Sequence, residues 1–390
     1  MMKVNVLKED LIHAMKALKP YVGDGRTLSY DKYLYMESLV LNGQYTLRLM
    51  VVNSIDSCEI TINSAIASSY TQGVCALIEF NKFFNLIQLL ETPMIDIDCC
   101  DVDNVNTVYI SYLGCNDSIK LNGEDPSLFP NFPELIPNET LSIPFDRFCS
   151  GITVAGSIVT QNDLYPLYNC VNITLKNRSI LFESIDSKDK RMIVYEEDML
   201  VPNVIIGSFF AELSRLKKLT QLDASIASMM LVEIADNGIQ FNIDNFKIFT
   251  RVITGSFPDC VKLIPANFIS SLNFDKNQMM LALDKAKILS ENDKKICVIK
   301  ITADTSSPGF IEINASSLSG SLTESIPHSN YTGKDVELTF KIDTLYEGLK
   351  VINDKNITWL FPNINFSFFK EATPSSLNNY HYLIPSIKTV

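Results

Sequence analysis

The chain has 390 residues, 46% hydrophobic and 20% charged, with a formal net charge of −12, which predicts a folded globular protein of two or three ordinary domains. No apolar run approaches the roughly 18 residues that span a membrane, and charged residues follow the first methionines too soon for a signal peptide. The acidic excess excludes a protein that holds nucleic acid by general positive charge, so a DNA contact would need a local basic surface.

Six segments are predicted to form helices, in three pairs along the chain. The first helix of each pair is predicted to begin at Lys8, Asp146 and Lys276, and the second at Phe80, Gly207 and Ile342. Apolar residues fall at helical spacing in two of them, at Phe80, Phe83, Phe84 and Ile87 and at Phe209, Leu213 and Leu216. Residues that favour N-caps stand near three helix starts: Asn81, Ser208 and Asp343.

Between the helices, short β-rich stretches are separated by Asn, Asp and Gly turns. Examples are YTLRLMVV, VNTVYISYL, CVNITLK, GIQFNI and GFIEINAS. Two helices and two sheets' worth of strands in each third of the chain predict an α+β repeat.

Two proline-containing stretches share one pattern. FPDCVKLIP at 257–265 repeats the spacing of FPNFPELIP at 129–137, and a third Leu-Ile-Pro ends at Pro385. Proline disfavours helix at the residue before it and cannot donate a hydrogen bond within a central strand, so we predict extended connectors here. The predicted domains are 1–132, 133–261 and 262–390.

The sequence contains no recognisable catalytic or metal-binding arrangement. His13, His328 and His381 are far apart without metal-ligand spacing, and His13 is interpreted as a surface or half-buried residue. The glycines at 23–26 lack the Lys-Ser/Thr of a phosphate loop. The aspartates at 96–103 lack the Gly and Glu of a calcium loop, so an exposed strand edge is the preferred interpretation. We predict a protein without catalysis, metal or cofactor.

Nine cysteines occur without any Cys-x-x-Cys pair. This pattern is typical of small buried hydrophobic residues in a reducing environment, and it predicts a cytoplasmic protein.

Basic residues recur on the predicted helices. They are Lys16, Lys19, Arg215, Lys217, Lys218, Lys276, Lys285, Lys287 and Lys350. An ordinary solvated helix face would explain them equally well. The alternative is that equivalent helices face one common surface and make it less acidic than the rest of the protein.

These patterns resemble the bacterial-type DNA sliding clamp, the beta subunit of DNA polymerase III. The most specific stretches are FPDCVKLIP, ALDKAKILS, LFPNFPEL and HYLIPSIKTV, and the resemblance covers the whole chain. It implies an α+β fold of three clamp-type domains, each with two helices and two β-sheets. Two copies would close head to tail into a dimeric ring, with helices lining the hole.

The resemblance also implies a pocket for short peptides of the Gln/Leu/Phe type. Carried over position by position, its residues are Tyr165, Tyr168, Ile185, Arg191, Met192, Pro258, Leu263, Ser367, Tyr382, Leu383, Ile384 and Pro385. Departures from the family predict an altered motif preference. Tyr165 replaces a usual arginine, the turn at 186–192 is longer than usual, and Thr344 stands where an aromatic residue is common.

For the subunit interface, the resemblance implies Ile119 and Leu121 on an edge strand, with Ile288 and Leu289 as their partners on the other copy. It further implies that Arg26 contacts DNA. The other residues predicted to face DNA are Lys16, Lys19, Arg215, Lys218, Lys285 and Lys350.

The implied function is a non-catalytic sliding clamp. It would form a homodimer around double-stranded DNA without reading sequence, and it would bind the replicative polymerase, the clamp loader and other proteins with clamp-binding motifs, with no membrane partner. A closed ring needs no tight grip on phosphates, so a net charge of −12 is compatible with DNA. The alternative is a non-catalytic β-rich scaffold or assembly protein without a DNA role.

Overall fold

The structure is a computed structural model, which describes residues 2–66, 75–102, 105–112, 118–162, 164–199, 206–222, 229–289, 296–301, 309–317, 320–372 and 378–387. The chain forms two compact units. Unit 1 comprises Met1–Phe145 and Gln221–Val252, and unit 2 comprises Asp146–Thr220 and Ile253–Val390. Neither unit is a continuous piece of chain.

Six α-helices lie within the described residues, in the segments that the sequence predicts. They are α1 Lys8–Leu18, α2 Phe80–Leu89, α3 Phe145–Ala155, α4 Leu213–Leu219, α5 Lys276–Leu289 and α6 Ile342–Lys350. In unit 1, α1 packs against α2, and in unit 2, α5 packs against α6. No helix in the described part of the chain is long and apolar enough to cross a membrane.

The strands in the described residues number twenty-five. They are β1 Met2–Leu7, β2 Tyr33–Leu41, β3 Gln44–Val52, β4 Asp56–Asn63, β5 Ala65–Ile66, β6 Cys75–Glu79, β7 Met94–Val102, β8 Val105–Ser111, β9 Ile119–Asn122, β10 Glu139–Pro144, β11 Cys170–Leu175, β12 Ser179–Asp186, β13 Arg191–Asp198, β14 Gly207–Glu212, β15 Met229–Ala235, β16 Gly238–Ile243, β17 Phe246–Thr250, β18 Ser270–Asp275, β19 Ile296–Ile301, β20 Gly309–Ser317, β21 Gly320–Gly333, β22 Val336–Lys341, β23 Asn356–Phe361, β24 Phe366–Glu371 and β25 Asn378–Pro385.

One module, a strand, a helix and three further strands, occurs six times in chain order. The modules are β1-α1-β2-β3-β4, β6-α2-β7-β8-β9, β10-α3-β11-β12-β13, β14-α4-β15-β16-β17, β18-α5-β19-β20-β21 and β22-α6-β23-β24-β25. Only the two-residue strand β5 stands outside this order among the described elements. The predicted α+β repeat is confirmed. Each predicted domain contains two copies of the module, so the repeating unit is about half a domain long.

The strands of each unit form antiparallel sheets. Unit 1 contains a five-stranded sheet, β5-β1-β7-β8-β9, and an eight-stranded sheet, β10-β15-β16-β17-β4-β3-β2-β6. Unit 2 contains a twelve-stranded sheet, β14-β11-β12-β13-β25-β24-β23-β18-β21-β20-β19-β22. Strand pairing therefore crosses both predicted domain boundaries, because β4 pairs with β17 and β13 pairs with β25. The boundaries near residues 132 and 261 remain a prediction.

The three predicted N-caps are wrong. Asn81 and Asp343 lie inside α2 and α6, and Ser208 lies in β14. The reason is that every helix follows directly on a strand, so the residue before the helix is the still-extended end of that strand. Phe209 is buried as part of β14 rather than of a helix, whereas the predicted apolar face of α2 is buried in full.

Neither predicted connector forms a strand, but both pack against strand residues. In unit 1, Phe129 and Phe132 are buried against Met50 and Phe249, and the Phe129 ring stacks on Tyr35 at 5.5 Å. The connector at 257–265 contains one short 3-10 turn, Val261–Leu263. The third Leu-Ile-Pro is not a connector, because it forms the end of β25.

Candidate functional site

Apolar side chains form a row across one face of the twelve-stranded sheet. The directly opposed residues on five neighbouring strands are Ile185, Met192, Leu383, Phe368 and Leu360. Opposed residues on paired strands point to the same side of a sheet, so these side chains share a face. They pack in one hydrophobic cluster that includes buried Leu181 and Val194. We call this set the apolar row.

The connector at 257–265 lies against the apolar row. Cys260 is fully buried in the same cluster, and Phe257 and Ile264 pack against it. The Phe257 ring also contacts the Phe210 ring, with 6.1 Å between centroids. Leu263 remains 53% exposed, so the connector is anchored by some apolar side chains and presents another to solvent.

A groove of about 400 Å³ lies beside the connector. Its lining residues are Leu164, Tyr165, Pro166, Leu167, Tyr168, Ile253, Thr254, Ser256 and Pro258. Pro258 lines the groove while its neighbour Phe257 packs on the apolar row, so groove and row meet at the connector. Leu164 and Tyr165 are largely exposed. A mostly apolar groove with a few hydroxyl groups suits an extended peptide better than a polar ligand.

Three of the predicted pocket residues lie on the opposite face of the sheet. Tyr382 and Ile384 flank Leu383 in β25 and are fully buried, and the Tyr382 hydroxyl donates to the carbonyl oxygen of Thr344 on α6 at 3.0 Å. Ser367 accepts a hydrogen bond from the Trp359 indole at 2.9 Å. The structure therefore brings these three side chains to the helix side, not to the groove. Pro385, two residues beyond Leu383, shares the groove side.

Arg191 is also held on the helix side, in a buried ionic network. Its guanidinium contacts Asp186 at 2.6 Å and Glu347 of α6. Nearby, Lys341 donates to Asp189 at 2.6 Å, and this hydrogen bond lowers the pKa of the Asp189 carboxyl. The network ties the hairpin between β12 and β13 to α6 and β22.

His381 lies two residues before Leu383 in β25, on the same face of the sheet as the apolar row. Its neighbours on the adjacent strands are Val194 and Lys370. Burial, with Lys370 as a second cause, lowers its pKa to about 4. The unfolded chain therefore takes up a proton near pH 6.5 that the folded chain does not, and stability is lost as pH falls through that window.

We expect the free energy of unfolding to fall by about 2 kcal/mol between pH 7 and pH 4 on account of His381, less than the full shift because the ring is only partly buried. Urea unfolding at both pH values measures it. In His381→Gln this part of the pH dependence is expected to disappear; an unchanged pH profile in the variant would contradict the assignment.

The predicted interface residues lie on exposed parts of each unit. Ile119 and Leu121 are half-buried on β9, which is an edge strand of the five-stranded sheet. Ile288, near the end of α5, is 73% exposed, and Leu289 beside it is half-buried. Large apolar side chains at a sheet edge and a helix end are typical of surfaces that pair with another chain.

The predicted DNA-facing residues differ in solvent exposure and in whether their charged groups contact an acidic side chain. Arg26 is 88% exposed beside Asp24, and Lys16 and Lys350 are exposed. Lys19 lies over the Phe84 ring at 5.4 Å. The others are less available: Arg215 pairs with Glu212 and Lys285 with Glu324, while Lys218 is half-buried.

Sequence reasoning missed Leu164 and Ser256 of the groove and Phe368 of the apolar row. The alternation in FSFFKE could have identified Phe368 as sharing a face with Phe366. Leu164 and Ser256 are placed by loops, for which no periodic signal exists. No cluster of three or more His, Cys, Asp or Glu side chains suited to a metal ion occurs in the described ranges.

Comparisons with known proteins agree on one family. Residues 261–382 match the family described as DNA polymerase III beta subunit, C-terminal domain. The beta sliding clamp of Bacillus subtilis (strain 168) is 24% identical over 281 residues, 71% of this chain and 71% of that protein. The beta sliding clamp of Staphylococcus aureus (strain N315) is 22% identical over 246 residues, 62% of this chain and 63% of that protein.

Solved structures establish the fold over the full length. The beta subunit from DNA polymerase of Streptococcus pyogenes superposes with a TM-score of 0.85 at 18% identity, covering 100% of both chains. The DNA polymerase sliding clamp from Bacillus subtilis superposes with a TM-score of 0.84 at 18% identity, again covering 100% of both chains. Similarity in fold therefore extends well beyond the segment that the family description matches.

Proposed function

We propose that the chain is a divergent member of the DNA polymerase III beta-subunit family and that it acts as a DNA sliding clamp. Two copies would close around duplex DNA and tether the replicative polymerase during synthesis. The protein has no catalytic role in this function. Its location would be the cytoplasm, in line with the eight described cysteines, which form no disulfide with one another.

The repeated strand pairing is the observation that carries the proposal. The last strands of the six modules are β4, β9, β13, β17, β21 and β25. Four of them pair within the chain, β4 with β17 and β13 with β25. The two that remain are β9, an edge strand, and β21. On one side β21 pairs with β20 along Gly320–His328, and on the other side it pairs with β18 only over His328–Gly333.

A third pairing of the same kind, between β9 of one copy and β21 of another, would use the outer edge of β9 and the segment Gly320–Pro327 of β21, which among the described strands pairs only with β20. Because β9 and β21 belong to different ends of the chain, the contact is heterologous, and two copies joined head to tail satisfy it twice. Ile119 and Leu121 lie on β9 itself. Ile288 and Leu289 lie at the end of α5, in the module that ends in β21. The proposed ring thus follows the chain's own repeat.

Electrostatics support DNA as the encircled partner. Lysines on the helices would face the duplex, while the net charge of −12 keeps DNA away from the rest of the surface. A ring retains DNA by topology, so these contacts need only be weak and independent of sequence.

Replacing Lys16, Lys19 and Lys350 with glutamine is expected to weaken binding to a short linear duplex at low salt. Each phosphate contact that is lost should reduce the slope of log K against log salt by about 0.9. Fluorescence anisotropy with a labelled duplex at several salt concentrations measures this. Lys262→Gln, on the exposed connector, is the control and should leave the slope unchanged; equal slopes for all variants would favour a scaffold without a DNA role.

The groove is the proposed docking site for partner proteins. Polymerase, clamp loader and other partners would insert a short peptide. Its apolar side chains would contact Tyr165, Tyr168, Pro258 and the half-buried members of the apolar row, Ile185, Leu360 and Leu383. Tyr165 offers an aromatic ring and no positive charge, so we expect the groove to favour apolar contacts over an acidic residue in the peptide.

Leu383→Ala is expected to raise the Kd of a labelled Gln-Leu-x-Leu-Phe peptide about tenfold, because Leu383 is part of the apolar row. Tyr382→Phe, one residue away but facing α6, should leave peptide affinity unchanged and cost about 1 kcal/mol of stability through its lost hydrogen bond. Anisotropy and urea unfolding of both variants provide the test. The reverse pattern would place the groove on the other face.

A further inference from the structure

One charged side chain lies within the apolar floor beneath the connector. Glu183 is on β12 between Leu181 and Ile185, on the same face as both because alternate residues share a side. It is buried, with 4% exposure. An ionised carboxylate in such a place costs free energy unless hydrogen bonds compensate, and burial raises the pKa of Glu183 despite its hydrogen bonds.

The partners of Glu183 are on the connector and on β11. The backbone N–H of Cys260 donates to one carboxylate oxygen at 3.1 Å, and the Asn172 amide donates to the other at 2.7 Å. The nearby backbone N–H of Val261 also lowers the pKa of this carboxyl group. These two backbone groups stand where the 3-10 turn Val261–Leu263 begins. The carboxylate therefore fixes the connector backbone at its centre.

The related connector of unit 1 is held in a different way. Its floor is apolar, with Met50 and Val52, and the connector fills it with the rings of Phe129 and Phe132. In the pattern shared by the two connectors, Cys260 occupies the place of Phe132. Unit 2 thus combines a small side chain with a buried carboxylate where unit 1 uses an aromatic ring.

We propose that Glu183 is a positioning residue for the groove, one that holds the connector backbone so that Pro258 and Leu263 are presented to a bound peptide. Anchoring through the backbone leaves the connector's side chains available: Pro258 lines the groove, and Val261 and Leu263 are exposed. The inference rests on the proposed peptide-binding function of this groove.

Three variants at this position separate the hydrogen bond from the charge. Glu183→Gln keeps an acceptor oxygen at the same reach and loses the charge. Glu183→Asp keeps the charge and withdraws it by one methylene from the connector. Glu183→Ala removes both. Glu196→Ala is the matched control, because Glu196 accepts hydrogen bonds from Ser179 and Lys176, away from the connector.

Binding of the labelled Gln-Leu-x-Leu-Phe peptide and hydrogen exchange of segment 256–265 are measured on each full-length variant. For Glu183→Asp and Glu183→Ala we expect about a tenfold rise in peptide Kd and at least as large an acceleration of exchange. Glu183→Gln and Glu196→Ala should stay within about threefold of the parent in both measurements.

Three results would overturn the inference. The first is wild-type affinity in Glu183→Asp, and the second is equal weakening in Glu183→Gln, because either would separate affinity from the connector hydrogen bonds. The third is faster exchange of the connector without any change in Kd. Failure of the unsubstituted protein to bind the peptide would instead refute the groove's proposed function, and the inference with it.

Discussion

Ile288→Asp combined with Leu289→Asp is expected to convert the proposed dimer into monomers. Among the described residues, Ile288 is one of the most exposed large apolar side chains, and burying one such side chain contributes about 1.5–3 kcal/mol. Aspartates at both positions would remove this contribution and place two charges in a desolvated contact. Since the substitutions affect both interfaces of a two-copy ring, we expect the dimer Kd to rise by at least about 1,000-fold.

Sedimentation velocity at micromolar protein measures the change. Ile364→Asp is the matched control, because Ile364 is similarly exposed, at 71%, and lies between β23 and β24, in the module whose last strand pairs within the chain. That variant should remain dimeric. A double-aspartate variant that sediments like the parent would rule out the proposed contact, and monomeric parent protein would argue against the ring itself.

Arg191→Ala is expected to destabilise unit 2 by about 3–5 kcal/mol, the usual cost of leaving one partner of a buried ion pair alone. The Arg191 side chain is 7% exposed and that of Asp186 is fully buried. Without Arg191, Asp186 keeps only neutral donors, such as the Thr160 hydroxyl at 2.9 Å and the Lys188 backbone N–H at 3.0 Å.

The urea midpoint of Trp359 fluorescence is a direct readout, since Trp359 is the chain's single tryptophan and is fully buried in unit 2. Lys341→Ala is the control. It removes the more exposed pair with Asp189, and should cost at most about 1 kcal/mol. Asp186→Asn together with Arg191→Met should recover much of the loss. Equal effects of Arg191→Ala and Lys341→Ala would contradict the buried network.

Much of the fold could be predicted because its signals are periodic. The spacing of Phe80, Phe83, Phe84 and Ile87 predicts α2, and all four side chains are buried. The predicted caps failed because these helices start at strand ends. The start of α4 was predicted too early because Phe209 fits a helical spacing with Leu213 while belonging to β14.

The groove was less predictable, for a reason of register. A position-by-position carry-over treats Tyr382, Leu383 and Ile384 alike, although neighbours in a strand face opposite sides. The pairing of Met192 with Leu383 decides which side chains of β25 face the groove. Such a register between distant strands cannot be predicted from the local sequence pattern. Arg191 likewise carries no local sign that Glu347, 156 residues away, is its partner.

The central claim, that the protein holds DNA by encircling it, is tested most directly by retention on circular and linear DNA. The protein is incubated at micromolar concentration with linear duplex, onto which a closed ring can thread over the ends, and the duplex is then circularised by ligation. The sample is passed over a gel-filtration column at moderate salt, before and after one restriction cut. We expect it to elute with the circle and to be released when the circle is cut, since weak contacts cannot prevent sliding off an end. Equal retention on both forms, or no retention on the circle by protein that sediments as a dimer, would contradict the claim.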